Sequence, residues 1–262
     1  YLPANIHLLD VSTARDMLFA LSSDDPKTLY VYKYYWNGEE KVQSSWSKWT
    51  FDDEILSFTV IDDLLFLVMK KDGDHTLCRI NLEMVESPGL DFRVHLDKQV
   101  RLNGTYDAAT ERTYWVLPYN DTSDTFTVVR GDNGFEVQNV TKDGNTLSAL
   151  GDLSNIPCFI GKPYTMRYRF SRWYLKDSQG VAITQGRLQI RTCTLTYSNT
   201  GYLALEVRPA LRQESLVRTM TGVTIGVSRL GKPSIVSGEK RFLVMSNNNA
   251  DIDIVNDVLM TQ

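Results

Sequence analysis

The sequence is poor in the residues that most catalytic and metal-binding sites require. Its three histidines are His7, His75 and His95, and its three cysteines are Cys78, Cys158 and Cys193. No histidine has a Cys or His partner at metal-ligand spacing. His75 lies in a polar turn, "KKDGDHT". Its acids Asp72 and Asp74 lack the sixth-position glycine and late glutamate of a calcium loop. Three scattered cysteines make neither a disulfide framework nor a metal motif, so they read as buried free thiols of a chain folded in a reducing cytosol. No apolar run reaches the roughly 18 residues of a membrane span. The opening "YLPANIHLLD" has no basic region and no apolar core of a signal peptide. It begins with Tyr1 rather than Met, which reads as a piece of something longer. Basic residues are in deficit, 28 Lys and Arg against 32 Asp and Glu, for a formal net charge of −4. That balance argues against a nucleic-acid binder, which carries a basic patch, but not against nucleic acid passing without being bound.

Recognisable catalytic motifs are missing as well. "GVSRLGK" at Gly226–Lys232 fits the first part of a phosphate-cradling loop, but Pro233 stands where the Mg²⁺-binding hydroxyl belongs and the following "SIVSG" is no helix. The acidic pairs Asp52-Asp53 and Asp62-Asp63 are the candidates for a glycosidase dyad, which needs two carboxyls about 5–9.5 Å apart; at strand ends they read as turn residues. The Asp-box of sialidase propellers (Ser-x-Asp-x-Gly-x-Thr-Trp) is absent. Sequons at Asn103, Asn120 and Asn139 carry meaning only in a secreted chain. No position is assigned as catalytic, cofactor-binding or metal-binding, and the expectation is a protein that is not an enzyme.

What is present is strand. With 262 residues, 42% of them hydrophobic, the chain can bury a large core without staples. Runs such as "TLYVYKYYW", "ILSFTVI", "LLFLVM", "TYWVLPY" and "GYLALEVRP" are β-branched and aromatic and are bounded by turn formers. No long window carries a helical stripe. Asn37-Gly38, Asp72-Gly73, Asn103-Gly104 and Asp143-Gly144 each suit a tight hairpin turn, where glycine supplies a positive φ. The fold class is all-β.

The chain also repeats itself. "MLFALSSDDPKTLYVY", "LLFLVMKKDGDHTLCRI" and "TYWVLPYNDTSDTFTVV" start at Met17, Leu64 and Thr113, about 48 residues apart. They align Phe19 with Phe66 and Trp115, and Leu29 with Leu77 and Phe126. A hairpin recurring at this interval matches a four-stranded propeller blade, so Phe19, Phe66 and Trp115 are expected at equivalent buried positions of successive blades. At "LGDLSNIPCFIGKPY" (150–164) the pattern breaks. The division expected is 1–157, the last blades of a β-propeller, and 158–262, a C-terminal antiparallel β-sandwich or barrel. In its first strand Tyr164, Met166, Tyr168 and Phe170 should form the packed face, with Thr165, Arg167, Arg169 and Ser171 on a wet, cationic one.

The stretch "VYKYYWNGEEKVQSSWSKWTF" poses the functional question. Its aromatics could be a sugar platform, a packed sheet face or a subunit contact. Tyr30, Tyr32, Tyr34 and Trp36 share one strand face, with Val31, Lys33 and Tyr35 on the other. Trp46 and Trp49 lie on opposite faces of their strand, one to pack inside and the other free for a neighbouring subunit, where Trp is a common anchor.

That stretch resembles a segment of the tail tubular protein B, or nozzle, family of short-tailed bacteriophages. "DFRVHLDKQV", "GTYDAATERTYWVLPY", "GKPYTMRYRFS", "GRLQIRTCTLTYSNTGYLALEV" and "FLVMSNNNADIDIVND" resemble later parts of the same family, in order. The resemblance implies the C-terminal part of a structural virion protein in the phage tail, assembled in the host cytoplasm. Six copies would form the distal tube, or nozzle, as a homo-hexamer below the portal and the adaptor ring (tail tubular protein A type). Tail fibres and, at infection, the bacterial envelope would be further partners. Genomic DNA would be ejected through the channel without specific binding, the propeller would decorate the outside, and no cofactor is implied. The alternative is a tail-associated propeller that binds or cleaves host surface glycan. A conduit should not grip DNA by counterion release. Most of Arg167, Arg169, Arg172, Arg187, Arg191, Arg208, Arg212, Arg218, Arg229 and Arg241 are therefore expected to face outward or to pair with carboxylates at subunit contacts.

Overall fold

The computed structural model describes residues 2–71, 73–123, 125–185, 188–209, 216–221, 235–246 and 250–256. Every regular element among them is a strand. The chain forms two compact units, Tyr1–Met84 and Val85–Gln262.

The first unit contains β1 (Ile6–Ser12), β2 (Met17–Ser22), β3 (Asp25–Asn37), β4 (Glu40–Thr50), β5 (Glu54–Ile61), β6 (Leu64–Lys71) and β7 (Asp74–Asn81). β1 to β4 make a four-stranded antiparallel meander, and β5 to β7 a three-stranded one. Alternation along each strand puts one row of apolar side chains on one face. The two rows close a single core: Phe19, Leu21, Leu29 and Val31 meet Ile55, Phe58, Leu65, Leu67 and Met69. Polar links hold the same two sheets. The Asp10 carboxylate on β1 accepts the Val60 N–H at 2.7 Å and the Thr59 hydroxyl at 3.1 Å. Arg15 in the β1–β2 turn pairs with Asp63 at 2.7 Å and Glu83 at 3.2 Å.

Two hairpins of the expected repeat are present as β2–β3 and β6–β7, but the core register of the second differs by one residue from the expected alignment. Leu65, Leu67 and Met69 face the core, whereas Phe66 is half-buried and Leu77 is 71% exposed. Phe66 and Leu77 share the outer face, while Cys78 and Ile80 pack inward. A one-residue slip carries every side chain to the opposite face, and an unbroken apolar run such as "LLFLVM" gives no alternation to set the register.

The second unit begins with β8 (Asp97–Leu102), β9 (Thr105–Asp107), β10 (Arg112–Val116), β11 (Thr127–Arg130), β12 (Thr141–Asp143), β13 (Thr146–Leu150) and β14 (Cys158–Lys162). The third copy of the repeat is not a hairpin: β10 pairs with β9 and β13, whereas β11 pairs with β14. Pro118 ends the strand, since it has no N–H for a ladder, and the loop that follows is pinned between sheets. Asp121 pairs with Lys98 of β8 at 3.0 Å, the Tyr119 hydroxyl donates to the Lys98 carbonyl at 2.6 Å, and Lys142 of β12 donates to the Asp121 carbonyl at 2.7 Å. The sheets β12-β13-β10-β9 and β11-β14-β8 enclose a core of Trp115, Leu117, Val128, Leu147, Ala149, Cys158 and Ile160. β14 is the middle strand of its sheet and buried throughout, so the chain leaves this sheet only after Lys162.

Three of the four turn glycines adopt the positive φ that their turns require: Gly38, Gly73 and Gly144 at +64°, +93° and +56°. Gly104 does not. It lies in a crossing between β8 and β9, strands of different sheets. A Cβ there would come within 2.8 Å of the Trp115 indole nitrogen and 2.2 Å of the Thr113 methyl. Gly104 is glycine for space, not for a turn.

The rest of the unit holds β15 (Met166–Arg169), β16 (Leu175–Lys176), β17 (Ala182–Ile183), β18 (Ile190–Thr200), β19 (Leu203–Pro209), β20 (Leu216–Thr221), β21 (Val236–Ser246) and β22 (Ala250–Asn256). One sheet runs β15-β22-β19-β20, and β18 pairs with β21. These two sheets share a core of Leu203, Leu205, Val207, Phe242, Val244, Ala250 and Ile252.

Two expectations follow. Leu67→Ala should cost about 2–5 kcal/mol by cavity formation, and Phe66→Ala clearly less; urea unfolding of both variants measures the difference, and the reverse order would restore the sequence-based register. Asp121 is held down to about 2: burial raises its pKa, but the Ser123 N–H, Lys98 and Lys162 more than offset this. Its contribution to stability is therefore complete above the unfolded pKa and is lost as pH falls from about 4 to about 2. Asp121→Asn should cost about 3 kcal/mol at pH 7 and flatten the acid limb of a melting-temperature profile.

Candidate assembly surface

His7 and His75 are exposed, and His95 is half-buried with its Nδ1 3.4 Å from the Tyr164 hydroxyl. Among the described residues no cluster of His, Cys, Asp and Glu could hold a metal. The three cysteines are free; Cys158 is buried, while Cys78 and Cys193 are only half-buried. Burial pushes the Cys158 thiol up to about 11. Asp62 occupies a turn with φ +54°, and Asp63 is taken by Arg15. "GVSRLGK" lies outside the described residues.

The aromatic stretch divides as its spacing requires. On one face of β3, Leu29 and Val31 are core, and Trp49 joins them edge-to-face with Phe19 at 5.7 Å. On the other face Tyr32 stacks with Trp46 at 4.9 Å and Tyr34 at 5.9 Å. Lys41 sits over the Tyr32 and Trp36 rings at 5.0 and 5.9 Å. Its ammonium also donates to the Tyr32 hydroxyl; that bond and one shared with Ser44 lower the phenol's pKa. At the hairpin tip Tyr35 and Trp36 are about half exposed, at 50% and 52%.

The strongest charge constellation lies on β15, β22 and β19. Cross-strand register brings Arg169 opposite Asp253 and Asp253 opposite Glu206. Arg169 holds Asp253 with two hydrogen bonds, Nε to Oδ1 at 2.7 Å and Nη2 to Oδ2 at 2.9 Å. Arg167 Nη1 reaches both Glu206 and Asp253 at 2.6 Å, and Arg169 comes within 3.8 Å of Asp251. The planar guanidinium fork suits such bridging. Hydrogen bonds from Arg169 and Arg167 hold the Asp253 carboxyl below its ordinary range against the opposing effect of burial. The sequence signal was there in "DIDIVND", where acids alternate with isoleucines, but only register names their partners. These two arginines pair inside their own chain. Arg187, Arg212 and Arg229 lie outside the described residues.

Among the described residues the expected packed face of β15 is largely exposed. All four residues of β15 are exposed, with Met166 at 40% and Tyr168 at 46%; only Phe170 of that row joins the core. From Pro163 to Gln185 every residue except Phe170 is exposed. Trp173 stacks on Phe170 at 6.1 Å. Beyond it, β16 and β17 form a short hairpin with Leu175, Val181 and Ile183 in the open. Contiguous exposed apolar surface of this kind marks an interaction site.

A family model described as bacteriophage nozzle protein matches residues 1–261. The chain belongs to this family. A curated relative, the tail tubular protein gp12 of Escherichia phage T7, is 26% identical over 268 aligned residues, covering 94% of this chain and 34% of the relative. The chain thus spans about a third of that relative's length. Family and relative alike are structural proteins of a phage tail, which fits a non-enzymatic reading of the nozzle-family chain.

One expectation concerns the arginine pairs. Asp253→Ala should cost about 1–3 kcal/mol by urea unfolding, moderated because both arginines are about half exposed. It should also create duplex-DNA binding with a steeper salt dependence, since two guanidinium groups lose their carboxylate. Unchanged DNA retention would mean that the pairing does not shield phosphate-binding groups.

Proposed function

We propose that this chain is the C-terminal part of a phage nozzle, a structural protein of which six copies build the distal tail tube through which DNA is ejected. The family match over residues 1–261 carries the reading. The relative's name, a tail tubular protein, supports it, and so does an exposed surface rich in side chains that proteins use for contact.

In this reading the sheets before and including β14 are blades of a propeller on the outside of the tail, and the strands from β15 onward form the nozzle wall. An adaptor ring lies above, and fibres and the bacterial envelope are met outside. DNA passes without being held: the chain's net charge is −4, and Arg167 and Arg169 are already engaged by carboxylates. Phosphate contacts would slow transit by adding affinity. The protein assembles in the host cytoplasm and acts in the virion. A glycan-binding role would draw on the exposed Tyr35 and Trp36, but the tyrosines and Trp46 beside them stack on one another, which suits packing better than a sugar platform.

Electron microscopy of the full-length protein tests the proposal. Sixfold rings with a central channel are expected; a monodisperse monomer or a closed dimer would overturn it.

A further inference from the structure

We propose that the exposed arm, residues 163–185, is an exchange element that docks head to tail on a second copy of this chain, and that the β18–β21 ladder receives it. The inference rests on the tail-tube reading and supplies its contact.

The arm cannot be explained by its own interactions. Its hairpin has two residue pairs, Leu175 with Ile183 and Lys176 with Ala182. A two-stranded hairpin alone is marginal in water and needs a further strand or a packed face. Its turn is nevertheless well built: the Asp177 carboxylate accepts the N–H groups of Gln179 and Val181, both at 2.9 Å. The turn fixes which side chains the ribbon presents, and these are apolar. Trp173, Tyr174, Leu175, Val181 and Ile183 are 37–59% exposed.

The area is of the right size. An aromatic side chain buries about 150–250 Å² when fully covered, so each half-exposed ring here still offers roughly 60–100 Å². Four rings between Tyr164 and Tyr174, with the aliphatic side chains and the ribbon's backbone, approach the ~800 Å² per partner of a standard interface.

The same molecule carries a surface that can receive it. The β18–β21 sheet has just two strands among the described residues. One of its faces is core, through Phe242 and Val244. Leu243 and Val236 remain 47% and 36% exposed. A free ribbon and a sheet with two strands among the described residues would make a heterologous contact, with different surfaces as donor and acceptor. Such contacts repeat head to tail and close into a ring when the rotation between copies closes, and strand addition to a sheet edge is a common way to make them.

The test uses full-length protein with a photoreactive phenylalanine at position 173, co-assembled from ¹⁴N- and ¹⁵N-labelled copies. Mixed-isotope cross-links from the arm to peptides of β18 or β21 are expected. Cross-links confined to one copy, or falling elsewhere, would overturn the proposal. A second variant, Trp173→Ser with Leu175→Ser and Ile183→Ser, should lose at least tenfold in ring yield by sedimentation while keeping its circular dichroism. Intact rings from this variant would overturn the arm's role and leave the tail-tube reading standing. No rings from the unmodified protein would instead remove that reading.

Discussion

A β-sheet with one apolar face must have that face covered, and among the described residues this chain has no helix to cover any of them. Sheets therefore cover sheets. β1–β4 and β5–β7 close over Phe19, Leu29, Leu65 and Leu67. β9, β10, β12 and β13 close with β8, β11 and β14 over Trp115 and Leu147. β19 and β22 close with β18 and β21 over Leu205 and Ile252. The polar links sit where neighbouring sheets must hold register: Asp10 and Arg15 in the first unit, and the loop around Asp121 in the second. The 163–185 arm is exposed at every residue but Phe170 among those described, and there we propose that a second copy docks.

Electrostatics follow the same geometry. Alternation puts Arg167, Arg169, Asp251, Asp253 and Glu206 on the face of their sheet away from the core, where each cation meets a carboxylate across the ladder. Such a surface has charge but little unsatisfied charge. In the proposed channel this would matter more than net sign, because a guanidinium already held by two oxygens has less to gain from a phosphate.

Much of this was legible in the sequence, and the failures share one cause. Strand class, the β2–β3 and β6–β7 hairpins, the turn glycines at Gly38 and Gly144 and the opposed tryptophans Trp46 and Trp49 follow from local pattern. Register and sheet partner do not. "LLFLVM" is apolar at every position, so Phe66 and Leu65 compete for the core and only the partner strands decide. The third repeat begins and ends like a hairpin, yet its two strands join different sheets once Pro118 and the Asp121 loop intervene. Gly104 looks like a turn residue because Asn-Gly usually is one; its role, space for Trp115, is non-local. The row from Tyr164 to Phe170 reads as a packed face, and its alternation is real, but periodicity cannot say whether the cover lies in the same chain. Nor does it identify Asp253 as the partner of Arg167 and Arg169, residues more than eighty positions away.

Hydrogen–deuterium exchange on the full-length protein, compared between its assembled and dissociated forms, tests the central claim that the 163–185 arm is covered by another copy. Backbone amides that open only with their surroundings exchange slowly, and exposed ones exchange fast. The account predicts that amides of 164–185 are slow in the assembly and fast in the dissociated protein, while those of β14 and β19 are slow in both. Equal exchange of 164–185 in the two forms would contradict it.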